Sequence, residues 1–167
     1  RLSPGCAMCS WGFAHASGPT LNVPVKSAAE LRAGDIAAKQ AMKLLEKSTE
    51  SYTPKEQVLI RSMSQRYEGS SHPQPVVEAA RRYSERLQTL REELDAKDLD
   101  LKVFQAETLM LQLCSPNEWH FYRRDKTDTP VAMPETLEST KMLREVLEIT
   151  NQTHPYAQHL LIHSTEM

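Results

Sequence analysis

The sequence predicts an all-α protein of about seven helices, arranged as stacked antiparallel hairpins. Three observations carry this expectation. Apolar residues recur at spacings of three and four in segment after segment, the period of one helical face. Those segments are rich in Ala, Leu, Met, Glu, Lys and Gln, residues that lose little side-chain freedom in a helix. Turn residues punctuate the chain between them, and no strand pattern of convincing length intervenes.

Each element has its own signals. Ser3-Pro4, a capping residue before proline, opens a first helix that runs to about Ser17 and stops at Gly18-Pro19. After a turn-rich link over 18–24, Ser27 and Glu30 form a capping-box pattern ahead of a helix over 27–47. Its buried stripe is predicted to be Ala33, Ile36, Ala37, Ala41, Leu44 and Leu45. Thr53 caps a third helix over 54–68, with Val58, Leu59 and Met63 inward, and Gly69-Ser70-Ser71-His72-Pro73 breaks it. The fourth, over 75–95, carries Val76, Ala80, Tyr83, Leu87, Leu90 and Leu94 in alternating steps of four and three, the pattern of a packed seam. Its other face is charged and solvated. The fifth, over 99–114, is apolar on several sides and is expected to be central, with Phe104 and Leu109 among the least exposed side chains. A connection over 115–133 follows, of a length that usually signals function. Pro134 opens a sixth helix to about Asn151, and Pro155 a seventh that reaches the end.

Composition excludes several function classes. Lys and Arg number 20 against 22 Asp and Glu, a net charge of −2, which argues against a nucleic-acid binder working by bulk charge. No apolar run approaches the roughly 18 residues of a membrane helix, so no membrane insertion is expected. There is no phosphate-cradling glycine loop, nucleophile elbow or dinucleotide fingerprint. Residues 1–167 are read as one repeat domain. The start at Arg1 and the stop inside a helix lead us to expect a segment of a longer chain. Cys6, Cys9 and Cys114 are too few for a disulfide scaffold, which favours a reducing, cytoplasmic setting.

Three segments carry a family resemblance. Cys6-Ala7-Met8-Cys9-Ser10-Trp11-Gly12, followed by Gly18-Pro19 and Asn22, is similar to the Cys-Ala-Met-x-x-Trp-Gly opening of a group of tetratricopeptide-repeat-like proteins. Ala106-Glu107-Thr108-Leu109-Met110 resembles that group's Ala-Glu-Ala-Leu-Met segment. The stretch from His154-Pro155-Tyr156 through His159 and His163 to Glu166 resembles its closing His-Pro-Gly-Ala-x-His-Tyr-x-Ile-His-Ala-x-Glu motif, with Tyr156 in place of the glycine. The resemblance implies a right-handed superhelix of helix hairpins and no established reaction.

Candidate site residues fall into four groups. His159, His163 and Glu166 stand at offsets of four and seven, within about 60° of arc on one helical face. Two imidazoles one turn apart chelate a transition metal and a carboxylate adds a ligand, with His154, Glu107 or His120 completing the shell. The residue after His159 is Leu160 rather than Glu, so the hydrolytic zinc motif is not supported. Alternatively these histidines hydrogen-bond to neighbouring helices. Glu107, on the apolar fifth helix, needs a partner if buried, a histidine or arginine from another helix. Cys6-x-x-Cys9 has redox or zinc half-site spacing but lacks a second pair, so both are expected to pack as small hydrophobes. Cys114 is expected to be inert, and His15 to stack on Trp11 across one turn. In the long connection, Trp119, Tyr122, Arg123 and Arg124 read as a peptide-binding rim, or as a loop pinned by Trp119 and Phe121.

The leading expectation is a helical-repeat scaffold that mediates protein–protein interaction or assembly, with a protein, a peptide or a second copy of itself as partner, and no nucleic acid or cofactor. The alternative is a metal-dependent enzyme or metal-binding protein using the His/Glu face.

Overall fold

A computed structural model describes residues 5–67, 76–114 and 119–165. These form helices α1 (Ala7–Ser17), α2 (Ala28–Lys47), α3 (Pro54–Tyr67), α4 (Val76–Leu94) and α5 (Leu99–Leu111), then strands β1 (Tyr122–Arg124) and β2 (Pro130–Ala132), then α6 (Pro134–Ile149) and α7 (Pro155–Thr165). The all-α expectation holds. Helices pair as hairpins, α1 on α2, α3 on α4 and α5 on α6, and successive hairpins join through α2–α3, α4–α5 and α6–α7. α1 also packs on α3, and α5 on α7, so the odd-numbered helices share one side of the stack. The helix expected to open at Ser3-Pro4 starts at Ala7 instead, because Cys6, in extended backbone, is its N-cap; Ser3 and Pro4 themselves, the break over Gly69–Pro73, the Val76 side chain and Glu166 lie outside the described residues.

Local caps set the helix starts. The Ser27 amide donates to Glu30 Oε2 (2.8 Å) and the Glu30 amide to Ser27 Oγ (3.2 Å), so two otherwise unpaired backbone donors are satisfied. Thr53 and Glu56 repeat the arrangement before α3, at 2.8 and 3.3 Å. Asp98 caps α5 by accepting the Leu101 amide (2.9 Å). His154 caps α7, its Nδ1 accepting the Ala157 amide (3.2 Å). That bond leaves the ring proton on Nε2, which faces Asp100 Oδ1 at 2.9 Å.

The largest apolar cluster joins α5, α6 and α7 through Val103, Met110, Leu143, Val146 and Leu160, with Phe121 from the connection. A second ties α1 to α4 through Ala14, Ala38, Met63, Tyr67 and Tyr83. Tyr67 lies directly over Gly34 of α2, where a Cβ would overlap its ring, and its hydroxyl donates to the Ala14 carbonyl. Glycine inside a helix costs about 1 kcal/mol relative to alanine; here it admits a fully buried tyrosine.

Four expectations need correction. Ile36 is 68% exposed and Leu94 41%. The α2 stripe is centred on Gly34, Ala37, Ala38, Ala41 and Leu45, small residues that leave Ile36 outside the seam, and Leu94 is the last residue of α4. Phe104 and Leu109 are only partly buried. α4 and α6 cover two sides of α5. Leu109 lines the groove between them beside Arg81 and Glu135, and Phe104 faces α1 and α7. Within 115–133 a hairpin forms, pairing Tyr122 with Ala132 and Arg124 with Pro130. Its turn is closed by Asp125, whose Oδ1 accepts the Thr127 and Thr129 amides, and Asp128 adopts φ 62°. Finally, Cys6 and Cys9 are joined by a disulfide rather than packed as separate thiols. Three residues apart at the start of α1, their sulfurs meet across one turn.

Candidate aromatic and histidine face

On the odd-numbered side, side chains from three helices and the long connection form an unbroken run of ring contacts. Trp11 stacks on His15 (centroids 5.4 Å, planes 15° apart), as the one-turn spacing predicts, and both meet the edge of Phe104 at 5.7 and 5.5 Å. Phe104 touches Tyr156 at 6.0 Å, Tyr156 stacks on His159 at 6.2 Å, and His159 meets His163 at 4.8 Å. His163 meets Trp119 at 5.0 Å, and Trp119 stacks on Phe121 at 6.0 Å. Helical periodicity puts Tyr156, His159 and His163 on one face of α7; stacking of the hairpins brings α1 and α5 to meet it. His159 and Trp119 are exposed, Trp11, His15, Phe104 and Tyr156 partly so, and Phe121 and His163 are buried. Trp11 Nε1 is buried with no acceptor among the described residues.

Beneath the rings lies a polar cluster. Glu107 of α5 is 2% exposed and accepts the Tyr156 hydroxyl. Burial holds its carboxyl above the usual carboxylate range, against the opposing charge of Arg66 and the Tyr156 hydrogen bond. The same burial, with Glu107 beside it, raises the Tyr156 phenol. Arg66 donates to the Pro19 carbonyl and to the His15 carbonyl (3.3 Å), satisfying acceptors at and just beyond the end of α1. It also reaches His15 Nδ1 at 3.3 Å and lies 5.6 Å from the Tyr83 ring centroid. Burial and this cation lower the His15 imidazole to about 4, so His15 is neutral at pH 7.

Of the two partners expected for Glu107, the arginine is present as Arg66 of α3 and the histidine is not. A tyrosine hydroxyl meets the carboxyl, and Arg66 acts through charge; His159 instead faces the Asn22 Nδ2 at 3.3 Å. Among the described residues, no three His, Cys, Asp or Glu side chains converge on a point that would hold a metal ion. His154 is engaged at the start of α7 with Asp100, and His120 is an exposed residue of the connection.

In the long connection, Phe121 pins the loop to the body, as the second reading expects. Phe121 is buried, its carbonyl accepting from Thr136 Oγ1 (2.8 Å), and the Tyr122 hydroxyl donates to the Ser164 carbonyl (2.9 Å). Trp119 remains 40% exposed. Arg123 and Arg124 stand exposed on the hairpin, where Arg124 pairs with Asp128 at 3.2 Å.

No protein-family model matches the chain, and no curated protein or solved structure matches it. Function is therefore argued from the site. Sequence reasoning missed Phe104, Tyr156, Asn22 and Arg66 as members of this face. The signal for Tyr156 was present: a bulky phenol stands where the resembled motif carries glycine, three residues before His159.

Proposed function

We propose that the protein is a helical-repeat scaffold of the tetratricopeptide-repeat-like kind, holding a protein or peptide segment along the ring-lined side of its odd-numbered helices. The unbroken run from Trp11 to Trp119 carries this reading. Tryptophan and tyrosine dominate binding energies at protein interfaces, offering large amphipathic area with few rotatable bonds to immobilise. Rings that only packed the core would be closed off from solvent; Trp119 and His159 are open to it. Trp119 forms one edge of the surface, and in this reading Tyr122, Arg123 and Arg124 of the adjoining hairpin serve as its rim.

The test is selection of peptides from a displayed random library on the whole chain. Trp119→Ala should weaken the selected peptides by about tenfold or more, while Ile36→Ala, on the exposed face of α2, should leave them unchanged. Equal affinities for the two variants would overturn the reading.

One observation favours a second reading, a transition-metal site: the His159 and His163 rings lie one turn apart with centroids separated by 4.8 Å. It would need a further ligand, and among the described residues no third His, Cys, Asp or Glu joins them.

A further inference from the structure

We propose that Cys6 and Cys9 form a reversible dithiol–disulfide site that exchanges with external thiols while the helical stack stays assembled. Three independent features support it. The first is position. Cys6 is the N-cap of α1, and its Sγ accepts the Cys9 amide at 3.0 Å. When the S–S bond opens, the Cys6 sulfur remains where first-turn amides and the helix dipole stabilise a thiolate. No acidic residue occupies that first turn, so nothing there opposes the negative charge.

The second is access. Both cysteines are partly exposed, whereas Cys114 is 2% exposed and its thiol is pushed up to about 12 by burial, with Glu107 adding to the shift. One chain therefore carries a reactive pair and an inert internal control. The third is the small contribution of the bond to the fold. It closes a loop of sequence separation 3, and the restraint a disulfide places on the unfolded chain grows with loop length. α1 is already held by α2 and α3, with Ala7 and Ala14 buried in the seams. Opening the bond leaves those contacts in place.

The exchange balances with a low-molecular-weight thiol of the glutathione class as reductant. Its thiolate attacks Cys9 Sγ, a new S–S bond forms, and the electron pair of the Cys6–Cys9 bond departs on Cys6, the better leaving group at the N-cap. A second external thiolate attacks the external sulfur of the mixed disulfide and releases the Cys9 thiolate. The net change is one protein disulfide and two thiols to one protein dithiol and one external disulfide. The oxidised form of the same reagent runs the steps in reverse.

The experiment equilibrates the whole native chain in a series of reduced and oxidised glutathione buffers, quenches with acid, tags free thiols and locates the tags by mass spectrometry. Cys6 and Cys9 should become tagged together as the buffer grows more reducing, with circular dichroism unchanged. In the reduced native protein, Cys6 should alkylate at pH 7 at least about tenfold faster than Cys114, with a pH midpoint below the ordinary thiol value of about 8.5. Cys6→Ser should trap Cys9 as a stable glutathione mixed disulfide, because the sulfur that resolves it is gone. A bond that survives the most reducing buffer until denaturant is added would overturn the proposal. So would thiols that stay unpaired in the most oxidising buffer, or a Cys6 midpoint at or above the ordinary value.

Discussion

The Tyr156 hydroxyl of α7 donates to the buried Glu107 carboxyl of α5, joining the histidine-bearing helix to the centre of the stack. This bond supports the ring face, because Tyr156 also stacks on His159 and touches Phe104. Replacing Glu107 with Leu leaves the hydroxyl buried and unpaired, which should cost about 1–3 kcal/mol. Denaturant unfolding of the variant measures it, and a loss near zero would mean that packing alone holds α7.

The same carboxyl makes stability fall as pH rises. Its folded value lies above the usual range through burial, so the folded state holds the proton more tightly than the unfolded chain. The contribution is complete below the unfolded value and is lost as pH climbs through the folded one. Glu107→Gln keeps an acceptor and removes the ionisation. Its melting temperature should exceed that of the parent protein at pH 8, and the difference should shrink toward pH 4. A parent and variant with parallel pH profiles would contradict the assignment.

His15 acts in the opposite direction. Its folded value of about 4 lies below the ordinary 6.5, so its contribution is present above the unfolded value and lost as pH falls through the folded one. The shift corresponds to about 3 kcal/mol. His15→Gln should flatten the decline between pH 6.5 and 4 in a series of thermal melts. An unaltered decline would place the acid sensitivity elsewhere.

Gly34→Ala should destabilise despite the better helix propensity of alanine. The new Cβ would overlap the Tyr67 ring, and overpacking of this kind costs about 1–3 kcal/mol. In the Tyr67→Ala background the same change should be neutral or stabilising. A double-mutant cycle without coupling between the two sites would rule the contact out.

Leu143 and Leu109 should respond differently to truncation. Leu143 is fully buried between α5, α6 and α7, and Leu143→Ala should cost about 2–5 kcal/mol. Leu109 is partly open to the groove between α4 and α6, and Leu109→Ala should cost less. Equal losses would mean that this groove is covered in solution.

A chelator separates the scaffold and metal readings. Under the scaffold reading, EDTA leaves the melting temperature unchanged. Under the metal reading it lowers the temperature, because an ion bound only to the folded state stabilises by mass action. A drop that added metal restores, and that His163→Ala abolishes, would favour the metal site.

Helix positions were legible because their causes are local. Ser27 with Glu30, Thr53 ahead of Pro54, and Pro155 each act within one turn of the helix they start. The α4 seam of Ala80, Tyr83, Leu87 and Leu90 is buried as its spacing predicts. The hairpin escaped because strands of three residues are too short to show a period, and the Asp125 turn and the docking of Phe121 hold it together. The Cys6–Cys9 bond was legible as a spacing; that the pair is bonded depended on the N-cap geometry of α1.

Capping, propensity and periodicity act between neighbours in the chain, so the amino-acid order alone accounts for the helices and for the shared face of His159 and His163. The meeting of Trp11, Phe104, Tyr156 and Trp119, and the tyrosine that joins the expected arginine at Glu107, depend on contacts between α1, α5, α7 and the connection. Those elements are distant in sequence, and the angle and register at which hairpins stack are set by summed packing over whole helices, which no short pattern encodes.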